Sequence, residues 1–332
     1  MHSVPKPRTR MSTIARPFVP VFLALLATGC GGRGASSTAA SGSSATNAPT
    51  AQVAVSSANG SLVADAAFQG ANNAAGTGIQ STSALGLVGT QSGLPDLAVL
   101  VGQQFTALQS FSQNMTTIAG VSASCPAGGT MSYSGTLSAG STITVSLSSC
   151  NMGDGYIESG SYSLNLSGYS MTDANDWMLA GSMSYSNLTI TGTNINETLN
   201  GELTLSETDS SGTISASLSS SSSLESAASG GPSLWLENFS ITAQVDPTGT
   251  TTFHGSGSIA DSALNGYVSF NIPSSNPFIE APGDLYPSSG TMTITGSNST
   301  SVVVTAVSNT QCTLAVNGGA PGAPVDWTSI VP

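Results

Sequence analysis

Residues Thr142 to Leu147 read Thr-Ile-Thr-Val-Ser-Leu, and residues Ser161 to Leu166 read Ser-Tyr-Ser-Leu-Asn-Leu. Both alternate a hydroxyl or amide side chain with an apolar one, the period of a strand that buries one face. Similar runs end at Tyr185, Ile190, Leu205, Leu218, Val245, Ile259, Ile272, Ile294, Ala306 and Val316. About a dozen short strands with turns between them follow, the spacing of antiparallel all-β structure. One face is aliphatic and the other almost wholly Ser, Thr and Asn. Met183 and Tyr185 are odd-numbered whereas Leu188 and Ile190 are even, so the inward face changes parity near Ser186-Asn187. A bulge there restores the pattern and bends the sheet.

A glycine motif recurs beside these runs, as Leu199-Asn200-Gly201 and Leu264-Asn265-Gly266, with looser copies at Gly160, Gly181 and Gly290. A glycine next to an apolar alternation marks a bend, a bulge or a tight hairpin turn, and repeated bends curl a meander. The uneven spacing of the copies excludes a solenoid of fixed period.

Upstream the period lengthens. After Pro95, apolar residues at Leu97, Leu100, Val101, Phe105, Leu108, Phe111, Met115 and Ile118 form one stripe, and Gly120 stops it. Steps of three and four residues are those of a helix with one apolar face. The expected fold is therefore mainly β: residues 121–332 form a curved antiparallel meander, half-barrel or barrel-like. One amphipathic helix within 91–120 packs on it. In that arrangement Leu97, Val101, Phe105, Leu108 and Met115 face either the protein's own core or an apolar ligand. Alternating runs shorter than the ~9–11 residues of a membrane strand argue against an outer-membrane barrel.

The N-terminus reads as an export signal. Basic residues up to Arg16 precede the apolar run Pro17 to Ala27, which ends in Ala27-Thr28-Gly29-Cys30. The run is too short to span a bilayer and suits a signal h-region. Residues 1–29 are then the signal, and Met11 already opens a complete one. Small residues before Cys30 resemble the bacterial lipobox, which implies a diacylglycerol and an acyl chain on Cys30. With Gly31 following, the resemblance implies sorting to the outer membrane, with the body facing the periplasm or the cell surface. Residues 30–90 begin as a Gly, Ser, Ala and Thr tether that buries too little apolar surface to order itself. Within it, Ser61 to Ala67 suits a helical turn, but Gly70, Gly76 and Gly78 argue against a long helix.

Charge narrows the function. All five Lys and Arg residues lie at or before Arg33, and all 17 carboxylates lie at or after Asp65. Beyond Cys30 one Arg stands against 17 carboxylates, a net charge of −16 with His neutral. No cation is left to contact phosphates, so nucleic acid is excluded as a partner. Anionic headgroups repel such a body, and the lipid anchor alone connects it to the membrane.

Catalytic and metal chemistry find little support. His254 is the one histidine beyond Cys30, in Thr252-Phe253-His254-Gly255-Ser256, without a Gly-x-Ser-x-Gly elbow. One histidine and scattered cysteines give no zinc spacing. Asp173, Asn175 and Asp176 share one turn and are weak calcium candidates, though Asx residues favour turns for their own reasons. No cofactor is expected apart from the covalent lipid. The protein reads as a non-enzyme: a binding module for an apolar or lipid-like ligand, or a structural or surface-interaction protein with a filled core. Its oligomeric state stays open.

Cys125 and Cys150 bracket one hairpin, and an exported location favours their oxidation. A 125–150 disulfide is expected over the other pairings, leaving Cys312 as a buried thiol. This Cys-Pro-x-Gly-Gly-Thr … Ser-Ser-Cys hairpin, the Leu-Asn-Gly strands and the Ser-Gly-Thr-Met-Thr-Ile-Thr-Gly motif resemble a group of uncharacterised secreted and lipid-anchored bacterial β-rich proteins, over about 121–317. The helix-plus-curled-sheet outline is also similar to the periplasmic lipoprotein-carrier half-barrels. Neither resemblance implies an activity or any functional residue.

Overall fold

The alternating runs join into far longer strands than they suggest one by one. A computed structural model describes residues 48–77, 117–125, 127–136, 138–151, 157–173, 176–192, 196–228 and 233–330. Among the described residues one α-helix, α1 (Gly60–Thr77), precedes β1 (Thr117–Ser124), β2 (Thr130–Thr136), β3 (Thr142–Cys150), β4 (Ile157–Asp173) and β5 (Asp176–Thr191). Then come β6 (Asn196–Ser210), β7 (Thr213–Ala228), β8 (Ser233–Val245), β9 (Thr251–Asp261) and β10 (Gly266–Ile272). The chain continues through β11 (Phe278–Glu280), β12 (Thr291–Thr295), β13 (Ser301–Ser308), β14 (Gln311–Val316) and β15 (Val325–Asp326). All belong to one unit, Ser43–Pro332, and form a single antiparallel meander in the order β1 to β10, then β12 to β15, with β11 beside β9. The sheet is a partial ring, so the mainly β, half-barrel expectation holds.

Strands β4 to β7 run 15 to 17 residues, and each continues through a register irregularity; on β5 it moves the buried series from the odd Met183 and Tyr185 to the even Leu188 and Ile190. The register shifts between Ser159 and Ser161, Tyr185 and Leu188, Asn200 and Thr204, and Ser220 and Ser223. Flanking shifts lie between Leu147 and Cys150 on β3 and between Glu237 and Ser240 on β8. The bulge expected at Ser186-Asn187 is one of this file, with Asn187 at φ 52°. Gly201, in the Leu-Asn-Gly motif, sits at φ 121°, where a Cβ would lie 2.5 Å from the Ser223 carbonyl oxygen. Only glycine fits there without strain. The second copy of the motif is a turn instead: Asn265 at φ 53° links β9 to β10. Six neighbouring strands kinked along one line curl the sheet.

The two faces match the alternation. On the outer face a cross-strand row from Thr142 on β3 to Thr293 on β12 is Ser, Thr or Asn on all nine strands that it crosses. On the inner face the neighbouring row runs Leu166, Gly181, Leu205, Leu218, Ile241. Apolar inside and hydroxyl outside is the reverse of a membrane barrel.

The helix differs from expectation. It lies at Gly60–Thr77, inside the stretch read as tether, and packs on β7 to β10 and β12 to β14. Its packing positions are mostly Ala and Gly, so no stripe of large apolar side chains marks it; Val63, Ala64, Ala66, Ala67, Phe68, Gln69 and Ala71 are all buried. Gly70, read as a helix breaker, is where the helix touches β9: a Cβ there would come within 2.2 Å of Ile259 Cδ1. Close approach outweighs the ~1 kcal/mol that glycine loses against alanine in a helix. Residues before α1 are also structured. Val53 N–H donates to Tyr267 O (2.9 Å) and Val53 O accepts from Ser297 N–H (2.8 Å), wedging the chain beside β10. The tether reading therefore fails for residues 51–77. The helix expected within 91–120 falls outside the described residues except for Thr117–Gly120, which are strand. Among the described residues no helix is long and apolar enough to cross a membrane.

Candidate functional site

Phe68 projects from α1 into an aromatic cluster, with ring centroids 5.7 Å from Phe278 and 4.9 Å from Trp327. Tyr286 stacks on Trp327 at 5.7 Å, and Trp327 Nε1 donates to Ser308 O (3.1 Å). Trp327 is fully buried, so the chain's C-terminal turn and α1 pack together over this part of the inner face.

Acids line this apolar seam. Glu280 follows Phe278 by two residues on β11, hence shares its inner face, and is 3% exposed. Its Oε1 has no hydrogen-bond partner. Burial, then the charge of Asp284, pushes its carboxyl up to about 8, so it is mostly neutral at pH 7. Asp65 of α1 is pushed up to about 6 by burial; the hydrogen bond from Gln69 opposes this, and the charge of Asp261 adds to it. Burial likewise raises Asp261, whose Oδ1 accepts Ala263 N–H at 2.7 Å. In most proteins Lys or Arg would neutralise such groups. Here none is at hand, because the chain holds no basic residue beyond Arg33 except His254.

A second polar cluster lies at the other end of the sheet. Glu158, 4% exposed, pairs across strands with Cys150 and sits among Tyr133, Tyr162 and Tyr185. The Tyr162 and Tyr185 rings are 5.8 Å apart, and the Tyr162 hydroxyl is buried without a hydrogen-bond partner. Burial first, with Glu158 adding, raises all three phenols, which remain protonated donors.

The residues singled out from sequence distribute as follows. Cys125 and Cys150 form the disulfide, with Cα atoms 5.4 Å apart. Cys312 is a buried free thiol pushed up to about 11 by burial, which makes it inert. Asp173 and Asp176 pair across the β4–β5 connection, Asp176 being exposed, while Asn175 lies outside the described residues. Among the described residues no three His, Cys, Asp or Glu side chains gather to hold a metal ion. His254 lies half-buried on the outer face opposite Thr242, with Phe253 pointing inward. Among the described residues it has no hydrogen bond to a serine or carboxylate. Cys30 and Leu97, Val101, Phe105, Leu108 and Met115 lie outside the described residues.

Sequence reasoning missed the buried acids, although parity exposes them. In Leu203-Thr-Leu-Ser-Glu207-Thr-Asp209 the two acids continue the odd-numbered apolar series, and both are buried. Phe278-Ile279-Glu280 carries the same signal. Compared with known proteins, the chain matches no family model, no curated protein and no solved structure.

Proposed function

We propose that this chain is an outer-membrane lipoprotein, held by acyl chains on Cys30, whose β body works without catalysis as a structural or surface-interaction module. The observation that carries this reading is α1 itself: the chain fills the inner face of β7 to β14 with its own helix and the Phe68–Trp327 contact. A filled groove leaves the hydroxyl face as the surface offered to a partner, and without cations that partner is not a phosphate polymer.

A second reading, a carrier of an apolar or lipid-like ligand, is favoured by the alanine-rich make-up of α1. Apart from Phe68 and Val63 its buried residues are small or polar, so a ligand displacing it would compete against little apolar area. Native mass spectrometry of the full chain in detergent separates the two. A mass accounted for by polypeptide, one disulfide and the Cys30 lipid supports the interaction module; a further lipid-sized adduct lost on denaturation supports the carrier. In the same preparation, Cys30→Ser is expected to move the protein from the membrane to the soluble fraction. Continued membrane association of that variant would refute the anchor.

A further inference from the structure

α1 meets the sheet through acids. Asp65 lies one turn before Phe68, and its carboxyl accepts a hydrogen bond from Gln69 Nε2 on the same helix. From the sheet the charge of Asp261, the last residue of β9, reaches it, because α1 packs on β9 with Gly70 against Ile259, two residues before Asp261; the Tyr286 phenol, in the loop after β11, feels the Asp65 charge as well. Phe68 then locks into Phe278 and Trp327, which fixes the helix rotation and holds Asp65 in the seam.

No cation relieves this pair, and β11, whose Phe278 meets Phe68, adds a further inward acid, Glu280, mostly neutral at pH 7. Of the remaining elements packed on α1, β12 and β13 carry no titratable side chain. Strand β14 contributes only the neutral Cys312 thiol. Strand β10 contributes Tyr267, which pairs with Ala260 and alternates with the inward Val268. Glu225 of β7 pairs with Trp235, beside the inward Leu224–Leu236 pair. Glu237 of β8 pairs with Ser258, and His254 of β9 with Thr242, on the hydroxyl face. Two carboxyls from two elements therefore interact across the α1–β9 contact, with a phenol and amide donors near them and no cation on the elements packed on α1. Each proton removed leaves a charge in an apolar seam.

We propose that α1 is an acid-set latch: protonation at the Asp65–Asp261 seam tightens the helix in the sheet, and deprotonation loosens it while the strands stay paired. The sign follows from linkage. A carboxyl raised above its ordinary 3.8 favours the docked state at low pH and loses that contribution as pH rises from its ordinary value through about 6. A latch of this kind makes coverage of the inner face respond to the acidity outside the membrane, whichever function the body serves.

Hydrogen–deuterium exchange on the full chain, corrected for intrinsic rates, reads the latch directly. Between pH 7.5 and pH 5 we expect protection of the 60–77 amides to rise about threefold: a carboxyl held near 6 would give about tenfold over that range, and the partial exposure of Asp65 reduces it. Amides of β4 to β6 serve as the internal reference. Asp65→Asn keeps the shape and the Gln69 contact and is expected to abolish that pH dependence, and Asp261→Asn to halve it on a logarithmic scale. Glu280→Gln, at a carboxyl not in this pair, leaves it intact. Equal protection at both pH values in the parent chain overturns the proposal, as does full pH dependence in Asp65→Asn. A rise spread equally over β4 to β6 overturns it too, since that reports global stability rather than α1.

Discussion

The two ends of this sheet are held by different means. At the β1–β4 end a covalent bond joins Cys125 to Cys150, 25 residues apart, across strands whose outer positions are mostly hydroxyls. At the β7–β14 end no bond is needed, because α1 and the C-terminal turn bring Phe68, Phe278, Tyr286 and Trp327 together. The contrast shows what a chain without cations has to work with. Salt bridges are closed to it beyond Arg33, so its edges rely on a staple or on aromatic burial.

Removing the aromatic lock should have the larger effect. Trp327→Ala opens a cavity between α1 and β11 and strands the Ser308 carbonyl; we expect a loss of about 3–5 kcal/mol in urea unfolding. A loss under about 1 kcal/mol would show that α1 does not brace this end. Cys125→Ala with Cys150→Ala comes next, with about 3 kcal/mol expected from the opened loop. Hydrogen exchange should rise in β1 to β4 and stay unchanged in β9 to β14; a uniform rise would mean that the two ends unfold as one. The smallest effect is electrostatic. With Glu280 raised to about 8, the folded state loses stability as pH climbs through that value, about 1 kcal/mol between pH 7 and pH 9. Glu280→Gln should flatten that slope, and a parent chain whose stability is level across this range would contradict the burial of the group.

Much of this architecture was legible. The alternation in Thr142–Leu147 and Ser161–Leu166 placed both faces correctly, because a period of two leaves a side chain only two directions. The parity change at Ser186-Asn187 located a bulge, and the Cys-bracketed hairpin its disulfide. Strand length was not legible, since a bulge in mid-strand looks like a turn between two short strands: Tyr185 and Ile190 end separate runs yet share β5. The position of α1 was hidden for a different reason. A helix that packs mainly through Ala and Gly shows few large apolar residues in sequence, and Gly70 is favourable only because Ile259 stands against it.

The candidate sites divide in the same way. The absence of Lys and Arg beyond Arg33 is a property of composition, and it alone dictates that no Lys or Arg of the body pairs with its buried acids. Which acids those are is a matter of tertiary structure. Asp65 and Asp261 lie almost two hundred positions apart, and only the docking of α1 against the end of β9 sets one before the other. Local pattern determines which way each side chain points, because that follows from backbone geometry over a few residues. What stands opposite it depends on how a curled sheet closes over a helix, and no short stretch of sequence contains that distance.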